Sequence, residues 1–452
     1  MPAGAAARRD CMIGEELEAL VVGAKDVLAS NDLGGWTKPA PDLYPHQWNW
    51  DSCFIAIGLS RFNFDRASQE LRSLVRGQWA NGLIPQIIFN PAGKGYFPGP
   101  DVWQSNRCPE APKGVETSGI TQPPVMATAA LAVWKNAPAD RKSEAQEFLR
   151  DMYPHLLSYH EFFYSERNPD GDGLIVVVHP WESGTDNSPR YLEAGKRVHL
   201  SYKPHYERLD TLHVAAANRP TDKDYDLFVY LLEQMRDVNW NQKAYLRHAP
   251  LQVQDVLFNS VLCRANLDLA AIAGILGEDA GRARYWFETT QAAINARCWD
   301  ESDGMYYDYD RVAQEPIKID TISGLHTLYG DVATKDRAER MVEVHLVNPR
   351  LFWPADGFPV PTTAVSSDWF NPENYWLGPV WVSTNWMLAH GLAAYARTDL
   401  AATVTTRTLD LVNKSGYREY FNPYTGAGYG TGSFSWTAAL SIDLIAEMGE
   451  PV

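Results

Sequence analysis

Apolar residues recur at three- and four-residue steps along most of the chain, the period of helices that bury one face. The pattern predicts helices over Glu15–Ser30, Trp50–Leu59, Phe64–Gly77, Pro123–Lys135, Lys142–Tyr164, Arg208–Asn218 and Asp222–Val238. It predicts further helices over Pro250–Leu276, Ala280–Trp299, Thr321–Leu328, Asp336–Leu346, Tyr375–Arg397, Ala401–Lys414 and Trp436–Met448. Asp279 and Thr334 stand where helix N-caps are expected. Leu174–Val178 reads as a short β-like stretch, and the segments Asn168–Leu174, Trp299–Met305 and Phe421–Gly426 read as tight turns. No Pro/Gly/Ser linker or low-complexity tract divides the chain, which favours one domain over residues 1–452. Paired helices with loops loaded on one side suit an all-α class, a ring of α-hairpins closed into a toroid. Such a ring takes its ligand where the inner helices end and the long loops gather. The Pro- and aromatic-rich segment 81–121 exceeds an ordinary connection and is expected to form a rim or lid insertion.

Composition removes several classes of function. A net charge of -16 disfavours nucleic acid and anionic membrane surfaces, both of which call for clustered Lys and Arg. No stretch approaches the roughly 20 apolar residues of a membrane span. Arg8 and Arg9 are followed by no apolar run, so no signal peptide is expected. Cys11, Cys53, Cys108, Cys263 and Cys298 are scattered without CxxC spacing. That argues for reduced thiols in a cytoplasmic protein and against a zinc site. The oligomeric state is left unspecified.

The aromatic residues fall into clusters that also hold acids. These are Tyr44–Asp51, His179–Pro189, Tyr375–Trp381 (with Glu373 just ahead) and Tyr417–Tyr420; Thr117–Pro124 is a further polar, rigid segment. The combination suits neutral sugars, whose C–H faces stack on rings while carboxyls and amides hold their hydroxyls. Glycosidic cleavage needs one protonated carboxyl to assist the leaving oxygen and one ionised carboxylate on the other face. Asp186 and Glu419 sit in separate segments, as such a pair requires, though each alone also reads as a cap or ion-pair partner, with Arg418 at hand. His179–Pro189 is expected to be a rim loop, with a capping turn built on Ser183 or Asp186 as the plain alternative. A sugar epimerase using His179, His205 or His390 and a non-catalytic sugar-binding protein both remain open at this level.

Taken together and in order, these segments and Glu419–Trp436 resemble glycoside hydrolase family 63, nearest its mannosylglycerate and glucosylglycerate hydrolases, over about Tyr44 to Leu444. The resemblance implies an (α/α)6 barrel and an inverting exo-α-glycosidase acting on a small-molecule glycoside, 2-O-mannosylglycerate or 2-O-glucosylglycerate. It implies no metal and no organic cofactor. Asp186 matches the proton donor and Glu419 the base that activates water. Tyr44, Trp48, Asp51, Gln122, Trp181, Glu182, Tyr375 and Trp381 match positions lining the sugar subsite, while Tyr96 and Arg219 match positions holding the glycerate end. The chain departs from the pattern at Leu377, where the family commonly has Arg. That departure lends weight to the alternative of an α-glucosidase or trehalase-like hydrolase of a neutral disaccharide. An anionic glycerate calls for a guanidinium, with Arg219 the first candidate and Arg190 and Lys203 behind it. For Arg219 the plain alternative is an exposed arginine near a helix start. The resemblance asks Asp186 to stay protonated, helped by Glu182 and Trp181, and Glu419 to stay ionised, helped by Arg418 or solvent.

Overall fold

The computed structural model describes residues 14–452, in which twelve helices alternate between an outer and an inner ring, while Pro189–Gly195, Asp222–Asp237 and Gln242–Leu246 stand apart from that alternation. The outer helices are Gly14–Asn31 (α1), Phe64–Val75 (α3), Lys142–Glu166 (α5), Gly281–Arg297 (α7), Lys335–Met341 (α9) and Thr398–Ser415 (α11). The inner ones are Asn49–Ser60 (α2), Met126–Asn136 (α4), Val256–Leu276 (α6), Ile322–Leu325 (α8), Val382–Ala394 (α10) and Ser435–Glu447 (α12). Inner helices pack on one another in the order α12, α2, α4, α6, α8, and α10 packs on α12. The ring closes where Gly391 of α10 lies against the backbone of Leu328 and Tyr329, just beyond α8. This is an (α/α)6 toroid.

Patterning explains the two rings. Every residue of α2 is buried, as expected of a helix that is apolar all round and has neighbours on every side. The outer helix α3 instead buries Phe64, Ala67, Ser68, Leu71 and Leu74, one stripe at helical spacing. α6 is long and apolar enough to cross a membrane by length and composition, but most of it is buried inside the ring. Cys53, Cys108, Cys263 and Cys298 are buried and unpaired; Cys11 and the leader expectation lie outside the described residues.

Several expected helices are shortened, each for a local reason. The segment 208–218 forms only two short 3-10 turns, Asp210–Leu212 and Ala216–Asn218, and leaves Leu212 74 % exposed. Val214 is buried while Leu212 is not, so no single apolar face holds a helix here, and Arg208 and Asp210 pair with each other. α10 begins at Val382 rather than Tyr375 because Tyr375 takes a left-handed φ of 39° and Pro379 follows Gly378. α6 begins at Val256 because Val253 and Gln254 pair with Asp310 and Tyr309 as a strand. Leu174–Val178 forms no strand beyond a single bridge from Val177 to Val253. The Thr334 side chain caps its helix through the Arg337 amide, and Asp279 accepts from the Gly281 amide. The turns are ordinary turns, with Asp170 and Asp172 paired to Arg311 and Arg297.

Candidate active site

Three inner helices start at one cavity. Trp48 precedes α2, Trp381 precedes α10 and Phe434 precedes α12, and all three residues line it. Their first turns aim unpaired backbone N–H groups and the positive ends of the helix dipoles toward that end of the ring. The cavity encloses about 750 Å³, its open mouth included. Its charged wall residues are Asp51, Asp186, Asp210, Glu419 and Arg219.

The segment His179–Pro189 is a buried floor, which corrects the expectation of a rim loop. His179 is wholly buried: its Nδ1 accepts from the Trp181 amide and its Nε2 donates to the Phe228 carbonyl. Burial lowers this imidazole to about 4, so it holds the turn as a neutral ring. Pro180–Ser183 then forms one 3-10 turn, closed by Gly184 at φ 70°. A Cβ at Gly184 would stand 2.5 Å from the Trp50 ring, so only glycine fits.

Glu182 is the residue of this segment that does not do what the resemblance implies. It does not line the cavity. Both of its oxygens are taken by Arg167, and it also accepts from the Val178 amide. Arg190 is likewise a strut: it pairs with Asp255 and Asp308 and donates to Thr185, the neighbour of Asp186. Lys203 is exposed and paired with Asp226. Asp186 alone in this segment presents a carboxyl to the cavity without a paired cation, and the Tyr375 hydroxyl approaches its Oδ2 at 3.4 Å.

Glu419 arrives from the other side, on the residue before a two-stranded hairpin of Tyr420–Phe421 and Gly428–Tyr429. Its backbone N–H donates to the Thr431 carbonyl, and the Thr431 N–H donates to its Oε2 at 3.0 Å. Gly430, at φ 67°, lets the backbone pass so close that a Cβ there would stand 2.3 Å from Glu419 Oε2. The Tyr44 hydroxyl donates to Oε1 at 2.8 Å and accepts from Arg219 Nη1 at 3.0 Å. Arg219 is only 5 % exposed; its Nη1 lies 3.7 Å from Glu419 and its guanidinium sits 4.3 Å over the Tyr375 ring. The exposed-arginine alternative is therefore wrong. Arg219, rather than Arg418, is also the main positive influence on Glu419.

The two carboxyls have distinct environments. Burial raises Asp186 to about 7, with the Glu419 charge adding to the rise and Arg219 and the Tyr375 hydroxyl opposing it. Burial also raises Glu419, but Arg219, the Thr431 amide and the Tyr44 hydroxyl all pull it back toward the ionised form. Asp51 is raised well above the usual carboxylate value by burial and by the charges of Glu419 and Asp186.

The rest of the wall suits a polyhydroxyl ligand. Trp376 and Trp381 stack at 3.8 Å with rings nearly parallel, and Tyr420 stacks on Trp381. Tyr44 and Tyr96 each meet Trp48 edge-on, at 5.3 and 5.2 Å. Gln122, which accepts from the Trp50 amide, and Trp181 also line the cavity. Gln86 Oε1, Trp376 Nε1 and Trp436 Nε1 are buried without hydrogen-bond partners in residues of this wall, a capacity that sugar hydroxyls would meet. All the expected site residues except Glu182 thus come together. Asp210, Tyr225, Gln86 and Phe434 join them unannounced, because each sits in a stretch with no cluster of its own. Leu377 itself does not line the cavity.

His205 is exposed and His390 lies elsewhere in the ring, so neither serves this cavity. Among the described residues one group has donor atoms close enough for a metal, His390, Asp443 and Glu447. It too lies outside the cavity, and Arg61 already pairs with both of its acids.

An (α/α)6 ring whose inner helices open onto stacked indoles and two carboxyls in contrasting environments is the architecture of a glycoside hydrolase. Residues 44–437 match the family described as the mannosylglycerate hydrolase MGH1-like glycoside hydrolase domain, and the chain belongs to that family. A mannosylglycerate hydrolase from Rubrobacter radiotolerans is 41% identical over 97% of this chain and 100% of its own length. A glucosylglycerate hydrolase from Mycolicibacterium hassiacum is 34% identical over 94% of this chain and 97% of its own. The crystal structure of the GH63 mannosylglycerate hydrolase from Thermus thermophilus in complex with Tris and D-glycerate superposes with a TM-score of 0.88. It has 39% identity and covers 94% of this chain and 99% of that one. The chain is a glycoside hydrolase.

Proposed function

We propose that this enzyme hydrolyses the α-glycosidic bond of a 2-O-glycosylglycerate, mannosyl or glucosyl, with inversion at the anomeric carbon. The observation that carries the reading is the single guanidinium of the cavity wall: among the lining residues only Arg219 is cationic, and it sits beside both carboxyls. Its Nε and Nη1 are engaged by Asp210, Tyr44 and Glu419, and a glycerate carboxylate matches the remaining edge of its fork as a neutral aglycone does not. Relatives named as mannosylglycerate and glucosylglycerate hydrolases support the substrate class, as does the D-glycerate held by the Thermus enzyme.

In this mechanism Asp186 is the general acid. Raised to about 7, its carboxyl still holds a proton near neutral pH and passes it to the glycosidic oxygen as the bond to the anomeric carbon breaks. Glu419 is the general base. It takes a proton from a water that attacks the anomeric carbon on the opposite face, while Tyr44 and Arg219 hold its carboxylate in place. Trp48, Trp181, Trp376 and Trp381 offer platforms for the sugar, and Asp51 and Gln122 offer partners for its hydroxyls. Tyr96 and Arg219 receive the glycerate.

The test is product analysis by NMR with 2-O-α-mannosylglycerate, 2-O-α-glucosylglycerate and trehalose side by side. Release of glycerate with an initially β-configured sugar is the expected result, and the faster of the first two arms assigns the sugar. Turnover of trehalose alone, or an α-configured first product, would overturn the reading.

A further inference from the structure

Arg219, the one cation lining the cavity among the described residues, is not alone with the two catalytic carboxyls. Asp210 also lines the wall, and its Oδ2 accepts from Arg219 Nε at 3.1 Å. With Asp210 and Glu419 both ionised, Arg219 stands between two anions and has no positive charge to spare for a third. An anionic leaving group would then enter a wall of net negative charge. One further residue changes this balance. Arg208 grips Asp210 through Nε at 3.1 Å and Nη2 at 2.8 Å, while its Nη1 donates to Asp222 at 2.9 Å. Its guanidinium lies 4.1 Å over the ring of Tyr225, itself a wall residue, and its side chain is only 10 % exposed. Arg208 therefore sits behind the wall as a fixed, desolvated fork holding both oxygens of Asp210. Burial alone would push Asp210 up. The Arg208 hydrogen bonds and the charges of Arg219 and Arg208 reverse this and hold it below the usual carboxylate value. The Arg219 hydrogen bonds to Asp210 and Tyr44 run through Nε and Nη1, which leaves Nη2 outside both.

We infer that Arg208 is a specificity-determining positioning residue: by taking up the charge of Asp210 it leaves Arg219 free to receive the carboxylate of the leaving group. The inference rests on the proposed reading of the substrate as a glycerate glycoside. It gives the irregular segment around 208–219 a chemical purpose, selection of an anionic over a neutral aglycone.

The test compares 2-O-α-mannosylglycerate (or the glucosyl arm, whichever the wild type prefers) with the matching neutral 2-O-α-glycosylglycerol. Arg208→Gln should raise KM for the anionic substrate by about tenfold or more, the scale of one charge-assisted hydrogen bond, with kcat changed by no more than about threefold. KM for the neutral substrate should change by less than about threefold. In Arg208→Gln/Asp210→Asn the uncovered negative charge is gone as well, so the anionic KM should return to within about threefold of wild type. Asp210→Asn alone serves where the Gln variant does not fold: it should tighten inhibition by D-glycerate and leave inhibition by glycerol unchanged. Equal losses on both substrates, no rescue in the double variant, or unchanged D-glycerate inhibition in Asp210→Asn would overturn the inference and leave the glycosidase reading standing. A wild type that turns over neither glycerate glycoside would remove that reading and this inference with it.

Discussion

Two sets of buried charges meet at the segment 179–189, and they follow opposite plans. On the side away from the cavity Glu182 is matched by Arg167, and Asp255 and Asp308 are matched by Arg190. On the cavity side Arg219 lies beside Glu419 and its charge reaches Asp186, while Asp51 is influenced by burial and by the charges of Glu419 and Asp186. Both sets are dehydrated, so burial does not distinguish them. Pairing does. A buried carboxylate gripped by a guanidinium fixes a backbone, because breaking the pair strands a charge. A buried carboxyl without that grip is pushed toward its neutral form, and a proton held near neutral pH is a proton available for transfer. Asp186 and Glu182 stand four residues apart, and the difference in partner leaves one carboxyl able to hold a proton near neutral pH and makes the other a strut.

The largest effect should come from the cavity set. Asp186→Asn and Glu419→Gln should each lower kcat by about 10²–10⁴-fold, the range for a positioned acid or base, while D-glycerate binding measured by calorimetry persists. Wild-type activity should decline as pH rises through about 7, because Asp186 loses the proton it must donate, and as pH falls through the raised value of Glu419, because the base is then protonated. In Asp186→Asn the residual activity should lose that alkaline decline. Survival of the decline would assign it to another group.

The paired set should respond in stability. Glu182→Gln strands Arg167 and should cost about 3–5 kcal/mol in chemical unfolding, while the alkaline limb of whatever enzyme remains folded stays near its wild-type position. A shifted limb with unchanged stability would make Glu182 a tuner of Asp186 after all.

Tyr44→Phe tests the join between the sets of hydrogen bonds at Glu419. Loss of this hydroxyl should lower kcat by about tenfold, the order of one hydrogen bond to a charged group. It should also move the acid limb to higher pH, since the hydroxyl holds Glu419 down. An unmoved limb would show that Arg219 alone governs the base. The smallest effect is expected at Leu377→Arg. The side chain lies off the cavity, so KM for a glycerate glycoside should change by less than about threefold, in line with substitutions away from a site. A large fall in KM would return that position to the pocket.

Much of the ring was legible because helix periodicity is a local property. α2, α3, α4, α5, α7, α11 and α12 fall where the apolar spacing placed them, within a few residues at each end. The failures share a cause. The segment 208–218 carries helical spacing but does not bury it as one face, since Val214 is buried and Leu212 exposed, and the start of α10 is set by Tyr375 and Pro379 instead of by the apolar run. The loop 179–189 looked like rim because it is polar. It is floor because its polar groups find partners outside the loop: Arg167, Phe228 and the adjoining Arg190, itself anchored to Asp255 and Asp308.

Most helices, the class of ligand and the candidacy of Asp186 and Glu419 follow from spacing and residue type within short segments of the sequence. Which acids keep a cation is set by the folded chain. It gave Glu182 to Arg167, left Asp186 to burial, and set Arg219 between Asp210 and Glu419. A carboxyl's proton affinity depends on what lies within a few ångströms of it in space. Residues 167 and 182, or 44, 219 and 419, become neighbours only when the ring closes.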